Sequence, residues 1–161
     1  MNENATIRPY NNQDKQAVID LLRLNTPAYF SPEEETDLIF YLDNELEAYF
    51  VLEVDNRVVG SGGFNFSGDP AHGKISWDLF HPGFQGKGFG RMLLHYRIEK
   101  LKVCEGLETI TVRTSQMAYQ FYAKSGFQLV ETVKDFWAQG YDMYQMIYVH
   151  FDKLSEHEHA Q

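Results

Sequence analysis

Residues 81–94 decide the fold, and they are His81-Pro82-Gly83-Phe84-Gln85-Gly86-Lys87-Gly88-Phe89-Gly90-Arg91-Met92-Leu93-Leu94. The segment before them, Ile75–Phe80, has the aromatic and β-branched character of a strand. Leu94, Ile98 and Leu101 recur at helical spacing and predict a helix after the glycines. Glycines allow a sharp turn and bring backbone N–H groups close to a ligand. Because a helix N-terminus adds unpaired amides and a positive dipole end, the stretch predicts a diphosphate site.

Spacing excludes two common phosphate loops. A Walker A loop needs Lys-Ser or Lys-Thr after its glycines, and neither dipeptide follows them here. A dinucleotide fingerprint needs Gly-x-Gly-x-x-Gly, but the sixth residue counted from Gly86 is Arg91. Counted from Gly88, the sixth residue is Leu93. Two interpretations therefore remain: a third kind of phosphate loop, or a glycine-rich connector that binds no ligand.

The residues fit a third pattern, Gln85-x-x-Gly88-x-Gly90, which begins three residues after Pro82. This pattern resembles the Gln/Arg-x-x-Gly-x-Gly/Ala signature of the GNAT N-acetyltransferases, which bind the pyrophosphate of coenzyme A at that loop. The resemblance implies acetyl-CoA as cosubstrate. It assigns cofactor contacts to Gln85, Gly86, Lys87, Gly88, Phe89, Gly90 and Arg91.

A second segment, Ser115–Phe127, strengthens the resemblance. Ser115 is a suitable N-cap for a short helix, and Gly126 is a suitable residue to end it. The pattern Ala-x-x-Phe-Tyr-x-x-x-Gly-Phe resembles the fourth helix of GNAT enzymes, where a tyrosine lies beside the thioester sulfur. Tyr122 occupies that position, although a half-buried core tyrosine would fit the same spacing. The family often has Asn where Ser115 stands, and Ser115 is the matching candidate for a cofactor contact.

The predicted order is strand, two helices, three strands, helix, strand, helix and two strands, which resembles the GNAT fold over residues 5–150. We expect one domain over residues 1–161 and a polar, frayed tail over residues 152–161. The fold class is α/β, with a mixed sheet of about seven strands and about four flanking helices. In the family, the strands corresponding to Lys74–Phe80 and Thr109–Arg113 splay apart to admit the pantetheine arm.

Composition limits the partners. A net charge of −9 and a pI near 5.0 oppose binding to nucleic acid or anionic membranes. The acidic balance suits a cationic amine acceptor. The N-terminus lacks the basic and apolar regions of a secretory signal, so we expect a cytoplasmic protein. We expect no metal site, because the single cysteine, Cys104, excludes a cysteine zinc site and His157 and His159 lie in the polar tail.

Acetyl transfer to an amine requires a neutral amine, a stabilised oxyanion and a protonated leaving thiol. Tyr122 is the candidate acid, because transfer of its proton to the leaving thiolate is uphill by only about 1.5 pKa units. As the resemblance implies, a backbone N–H around Leu79 or Phe80 contacts the oxyanion. Asp78 is the nearest carboxylate on the strand before the loop, and it is the candidate base for the amine. His81 and an ordered water are the alternatives.

Recognition of the acceptor is expected in residues 26–35 and 135–142, which the family pattern leaves variable. Trp137 and Tyr141 are candidates for an aromatic wall, and Glu33 is a candidate anchor for the amine. Hairpin packing would also explain the two aromatic residues, and helix capping would explain Glu33.

The predicted function is transfer of an acetyl group from acetyl-CoA to a primary amine of a small molecule or peptide, by direct attack in a ternary complex. The alternative is a noncatalytic module that binds or senses acyl-CoA through the same loop. GNAT enzymes are often dimers, so the resemblance allows a homodimer, but no sequence feature fixes the oligomeric state.

Overall fold

The computed structural model of the protein describes residues 4–149. Its strands are β1 (Ala5–Pro9), β2 (Ala48–Val54), β3 (Arg57–Asn65), β4 (His72–Phe80), β5 (Thr109–Thr114), β6 (Phe127–Ala138) and β7 (Tyr141–Tyr148). Its helices are α1 (Lys15–Leu24), α2 (Glu34–Asn44), α3 (Phe89–Lys102) and α4 (Tyr119–Ala123), with short 3₁₀ turns at Asn12–Asp14 and Pro82–Phe84.

The strands form one sheet in the order β1-β2-β3-β4-β5-β7-β6. β4 and β5 run parallel, and the other neighbouring pairs are antiparallel. The predicted fold class, a mixed sheet of about seven strands with about four helices, is therefore confirmed. The predicted tail over residues 152–161, including His157 and His159, lies outside the described residues. Within residues 4–149, no helix has the length and apolar character needed to span a lipid bilayer.

Each face of the sheet buries one apolar cluster. The α1 side chains Val18 and Leu22 pack with Leu38 and Leu42 of α2 against one face. The apolar residues of α3 and α4 cover the other face, and they are Leu93, Leu94, Ile98, Leu101 and Tyr122. Side chains three and four residues apart share a helix face, so each helix presents one apolar stripe to the sheet. The two helix pairs therefore lie on opposite faces.

The sheet opens between β4 and β5. Their pairing runs from His72 opposite Thr109 to Ile75 opposite Val112 and stops there. Just beyond this point β4 carries a bulge, because Leu79 pairs with Ser61 while Ser76 pairs with Gly63. A bulge leaves an extra residue in one strand, bends that strand and increases its twist. β4 and β5 therefore separate at their carboxyl ends, in agreement with the predicted splaying of these two strands.

The fourth helix is shorter than the sequence predicts. We expected Ser115 to be its N-cap, but α4 begins at Tyr119 with Ala118 as the cap residue. The Gln116 side chain donates from Nε2 to the Gly140 oxygen at 2.8 Å and accepts the Asp142 N–H at 2.9 Å. These contacts tie the segment before α4 to the β6–β7 hairpin. The prediction that Ser115 is the N-cap was wrong because tertiary hydrogen bonds override local capping preference, whereas its predicted contact with the cofactor stays a prediction.

A charged cluster joins β1 to the start of α1. Arg8 donates to both carboxylate oxygens of Asp14 at 2.8 Å. The Asn11 N–H also donates to Asp14, at 2.9 Å. The hydrogen bonds from Arg8 are the main cause that lowers the pKa of the Asp14 carboxyl below its ordinary value, and burial opposes them. The ionised carboxylate is therefore the form that stabilises the fold.

We predict that Asp14→Asn lowers the free energy of unfolding near pH 7 by about 2 kcal/mol, the typical value of hydrogen bonds to a charged group. The wild type has the higher free energy of unfolding above the ordinary Asp pKa near 3.9. This difference disappears as the pH falls through the lowered pKa that Asp14 has in the folded protein. Urea unfolding at several pH values measures it. Asp43→Asn, which removes an exposed pair with Lys15, is the control with an effect near zero. A pH-independent deficit for Asp14→Asn would contradict the assignment.

Candidate active site

A cleft of about 1140 Å³ lies where β4 and β5 separate. We divide its lining into two parts, called arms; the first consists of residues of the glycine loop and α4, including Gln85, Gly86, Phe121 and Tyr122. The second arm is lined by residues before and within α2, by β4 and β5, and by the end of β6. The cleft is large enough for two ligands that meet near the exposed end of β4.

The glycine loop begins with a 3₁₀ turn and ends at the N-terminus of α3. Gly86 and Gly88 have φ values of +82° and +84°, which side chains other than glycine rarely adopt. Position 90 favours glycine because of close packing, since a Cβ there would lie 3.1 Å from the Phe121 ring. The predicted cofactor residues that line the cleft are Phe80, Gln85, Gly86, Gly88, Phe89, Gly90, Arg91 and Ser115. Lys87 lies outside this lining, with its Nζ 5.5 Å from the centre of the Phe84 ring.

The backbone at the end of β4 separates the two candidates for the oxyanion contact. The His81 N–H donates to the Val59 oxygen of the β3 side at 2.8 Å. Successive residues of a strand direct their N–H groups to opposite edges, so the N–H of Phe80 points away from β3 and toward the cleft. The Leu79 side chain is fully buried against α1 and α2. Phe80 therefore offers the cleft-facing amide, and Leu79 does not line the cleft.

Tyr122 and Asp78, which both line the cleft, are hydrogen-bonded to each other. The Tyr122 hydroxyl donates to Asp78 Oδ2 at 2.5 Å. The other carboxylate oxygen, Oδ1, forms an ion pair with Arg97 Nη2 at 2.5 Å. The Asp78 side chain is 8% exposed and that of Arg97 is 0% exposed, so water screens this pair little. The carboxylate of Asp78, the candidate base, is thus held by an arginine and a phenol.

Burial is the main cause that raises the pKa of the Tyr122 phenol well above its ordinary value of 10, and the Asp78 charge adds to it. Burial also raises the pKa of the Asp78 carboxyl, while the Arg97 charge acts in the opposite direction. The phenol therefore stays protonated across the physiological range. Its proton is directed at Asp78 in this arrangement.

Arg97 was not among the predicted site residues, although the sequence carried a signal. It stands four residues after Leu93 and three after Leu94, which is the apolar face of α3. An arginine at such a position must find acceptors in the interior. Sheet glycines provide the room, because a Cβ at Gly62 would lie 2.8 Å from Arg97 Nη1 and still closer to Asp78 Oδ1.

The predicted acceptor residues lie in different places. Trp137 lines the cleft, and its Nε1 donates to the Thr114 oxygen at 3.1 Å. Tyr141 does not line it; its hydroxyl donates to the Pro27 oxygen at 2.8 Å and ties the β6–β7 hairpin to the segment after α1. Glu33 is exposed, and its neighbour Glu34 lines the cleft instead.

Glu34 stands beside a group of aromatic rings in the second arm. Its side chain accepts the Ser31 N–H at 2.8 Å, and burial raises the pKa of its carboxyl. Phe30 and Trp77 stack with centroids 6.1 Å apart, and Tyr41 lies 6.3 Å from Trp77. All four residues line the cleft. Rings and carboxylates together are a suitable surface for a cationic group.

Comparison with known proteins identifies the family. The family described as "Acetyltransferase (GNAT) family" matches residues 15–127, more than half of the 161 residues. The chain belongs to the GNAT acetyltransferase family. The resemblance based on Gln85, Gly88 and Gly90 is thereby confirmed. This GNAT chain is 35% identical to "Uncharacterized N-acetyltransferase ycf52" of Pyropia yezoensis over 95 residues. The matched segment covers 58% of this chain and 49% of that relative. The chain spans less than half the length of the curated relatives it matches.

Solved structures share this GNAT fold. An aminoglycoside 6'-N-acetyltransferase complexed with coenzyme A superposes with a TM-score of 0.71 and 16% identity, covering 88% of this chain and 95% of that one. YncA from Salmonella typhimurium, solved with acetyl-CoA, has a TM-score of 0.70 and 22% identity, covering 89% of this chain and 92% of that one. At these identities the likeness is one of fold.

We predict that Gly62→Ala destabilises the protein by about 3–5 kcal/mol, because its Cβ would force Asp78 and Arg97 apart and leave a buried charge unpaired. Thermal or urea unfolding measures the change. Gly68→Ala is the matched control, since a Cβ there meets no atom within 4 Å and the φ of +85° alone costs about 1–2 kcal/mol. Equal losses in the two variants would show that the ion pair does not depend on Gly62.

Proposed function

We propose that this GNAT protein transfers the acetyl group of acetyl-CoA to a primary amine of a small molecule or peptide, by direct attack in a ternary complex. The observation that carries the proposal is the convergence in one cleft of three parts that such a reaction needs. They are the glycine loop for a diphosphate, the cleft-facing Phe80 N–H for an oxyanion, and the Tyr122 hydroxyl for a leaving thiol.

The donor is assigned to the arm that the glycine loop lines. Coenzyme A is polyanionic and the chain carries a net charge of −9, so local positive charge is required. Backbone N–H groups of residues 85–90 and the N-terminus of α3 supply partial positive charge for the pyrophosphate. Arg91 and Lys124 line the same arm and supply full charges.

The reaction balances with one bond formed and one broken. The amine nitrogen attacks the thioester carbonyl carbon, and negative charge develops on the carbonyl oxygen, where the Phe80 N–H donates to it. The C–S bond then breaks, and the sulfur takes a proton that Tyr122 supplies. Transfer from an ordinary phenol to a thiolate of pKa near 8.5 is uphill by about 1.5 pKa units, or about 2 kcal/mol. The raised pKa of Tyr122 increases this cost, so we propose that the proton moves only as the sulfur leaves.

An ammonium acceptor loses two protons in all. The first leaves before the attack, and the second leaves the nitrogen of the adduct and returns through water to the Tyr122 oxygen, where it replaces the proton given to the sulfur. Asp78 is paired with Arg97 and accepts the Tyr122 hydrogen bond, so both of its oxygens are occupied. That geometry favours water as the proton acceptor over Asp78. A primary amine with a pKa near 10 is mostly protonated at neutral pH, and its deprotonated fraction rises with pH. We therefore expect kcat/KM for the amine to increase with pH until it levels off near the pKa of the amine, about 10.

The acceptor is assigned to the second arm of the cleft. Trp137 and the Phe30, Tyr41 and Trp77 rings provide apolar walls, and Glu34 provides a carboxylate. This combination suits an ammonium group attached to an apolar body. A panel of polyamines, amino acids, aminoglycosides and peptide N-termini, with thiol release from acetyl-CoA as the readout, tests the proposal. Binding of acetyl-CoA without turnover of any amine would favour the noncatalytic acyl-CoA module instead.

We predict that Gly88→Val abolishes acetyl-CoA binding, because a branched side chain disfavours the φ of +84° that directs the loop amides at the pyrophosphate. Isothermal titration measures the affinity. Gly106→Val is the matched control: Gly106 has a φ of +85° and equally open surroundings but lies outside the cleft lining. Retained affinity in a folded Gly88→Val protein would refute the placement of the donor.

We predict that Tyr122→Phe lowers kcat by about 10²- to 10⁴-fold, the usual contribution of a general acid, with little change in the affinity for acetyl-CoA. Steady-state kinetics with an amine from the panel measures both. Tyr119→Phe, on the same helix but outside the cleft lining, should keep wild-type kcat. Equal kcat values for Tyr122→Phe and the wild type would remove Tyr122 from the mechanism.

A further inference from the structure

Arg97 is completely buried beneath the cleft. Its Nε donates to the Leu93 oxygen at 3.1 Å and its Nη1 to the Gly63 oxygen at 3.0 Å. The third nitrogen, Nη2, forms the ion pair with Asp78 Oδ1 at 2.5 Å. Within the described residues, neither of these two atoms has a hydrogen-bond partner elsewhere. Each therefore depends on the other for compensation of its charge.

Stability alone does not account for this ion pair. Moving two charges out of water costs several kcal/mol per ion, and an apolar pair of similar volume is often equally stable or more stable. At the position of Arg97, between Leu93, Leu94 and Leu101 on the buried face of α3, a leucine or methionine would continue the apolar stripe. The pair is thus a costly arrangement, and Asp78 also holds the hydroxyl of Tyr122, a residue that lines the cleft beside the glycine loop.

We propose that Arg97 and Asp78 are positioning residues that fix the Tyr122 hydroxyl for acetyl transfer. Asp78 Oδ2 holds the phenol oxygen at 2.5 Å, while Arg97 fixes the carboxylate from the opposite side. This inference rests on the proposed function, because it assigns Tyr122 a role in that reaction.

Among residues 4–149, two charged groups act on the Tyr122 phenol: Asp78 from β4, which opposes its ionisation, and Arg97 from α3, which favours it. The rings of Phe121 and Phe127 flank the phenol from α4 and β6. The positive charge of Arg97 partly neutralises the Asp78 carboxylate, so the carboxylate attracts the phenolic proton less strongly. The proton can then turn from Asp78 toward the sulfur when negative charge develops there.

The ionisation of Tyr122 in the wild-type protein is the first test, and it requires no turnover. NMR of ring-labelled tyrosine, with Tyr122→Phe used to assign the resonance, follows each phenol through alkaline pH. We expect Tyr122 to stay protonated through the ionisation of exposed tyrosines near pH 10. Ionisation of Tyr122 together with the exposed tyrosines would overturn the proposal.

The second test replaces both charges with uncharged groups of similar size, in the double variant Arg97→Met/Asp78→Asn. We expect kcat to fall about 10- to 100-fold, as for a slightly misplaced catalytic group, with KM for acetyl-CoA nearly unchanged. Tyr122 should also ionise at a lower pH than in the wild type. The matched control is Arg8→Met/Asp14→Asn, which removes an ion pair far from the cleft and should leave kcat unchanged.

A folded double variant with wild-type kcat and unchanged Tyr122 ionisation would overturn the proposal. If the double variant does not fold, Arg97→Lys replaces it: the charge is kept but the planar fork is lost, so kcat should fall by a smaller factor. Wild-type kcat in Arg97→Lys would then count against positioning. If Tyr122→Phe keeps wild-type kcat, the proposed function of Tyr122 fails, whereas the NMR titration still reports whether the ion pair holds the phenol.

Discussion

In β4, Trp77 and Asp78 together occupy the length of sheet that Gly62 alone occupies in β3. Contacts on both faces hold this bulge. The Tyr49 hydroxyl donates to the Trp77 oxygen at 2.8 Å, and the Asp78 side chain forms the ion pair with Arg97. Trp77 has a φ of +48°, a conformation that non-glycine residues adopt only when neighbouring contacts hold them there. The position of the bulge determines where β4 leaves β5 and hence where the cleft opens.

The same bulge connects the two arms of the cleft. It turns Asp78 toward Tyr122 and α3, on the side of the glycine loop, and it lets the Trp77 ring stack on Phe30 on the side of α2. Beyond the bulge, the Phe80 N–H faces the space between the arms. Asn25, at the end of α1, donates to the Phe80 oxygen at 2.8 Å and so fixes this strand end to the helical layer. The positions that we propose for donor, oxyanion and acceptor therefore all depend on the conformation of one short piece of β4.

The local signals in the sequence were sufficient for the fold, the family and the conformation of the glycine loop. Glycine spacing at 86, 88 and 90 is a local property, and the structure shows its cause in two positive φ values and one close helix contact. Ser115 misled us because Gln116 finds partners in a hairpin some twenty-five residues away along the chain. Arg97 and Glu34 were missed for a related reason. A buried ion pair and a cleft-lining carboxylate depend on which elements meet in space. The sequence alone indicates such a meeting only where an arginine, here Arg97, stands on the apolar face of a helix.

Direct attack in a ternary complex is the central chemical claim, and the mass of the protein after mixing with acetyl-CoA tests it most directly. The sample is divided, and one half receives an amine accepted in the panel. The account predicts that thiol is released only where the amine is present, in equal amount to acetylated amine, and that the protein mass stays unchanged in both halves. An acetylated protein that forms from acetyl-CoA alone, with release of thiol, and then passes its acetyl group to the amine would contradict it.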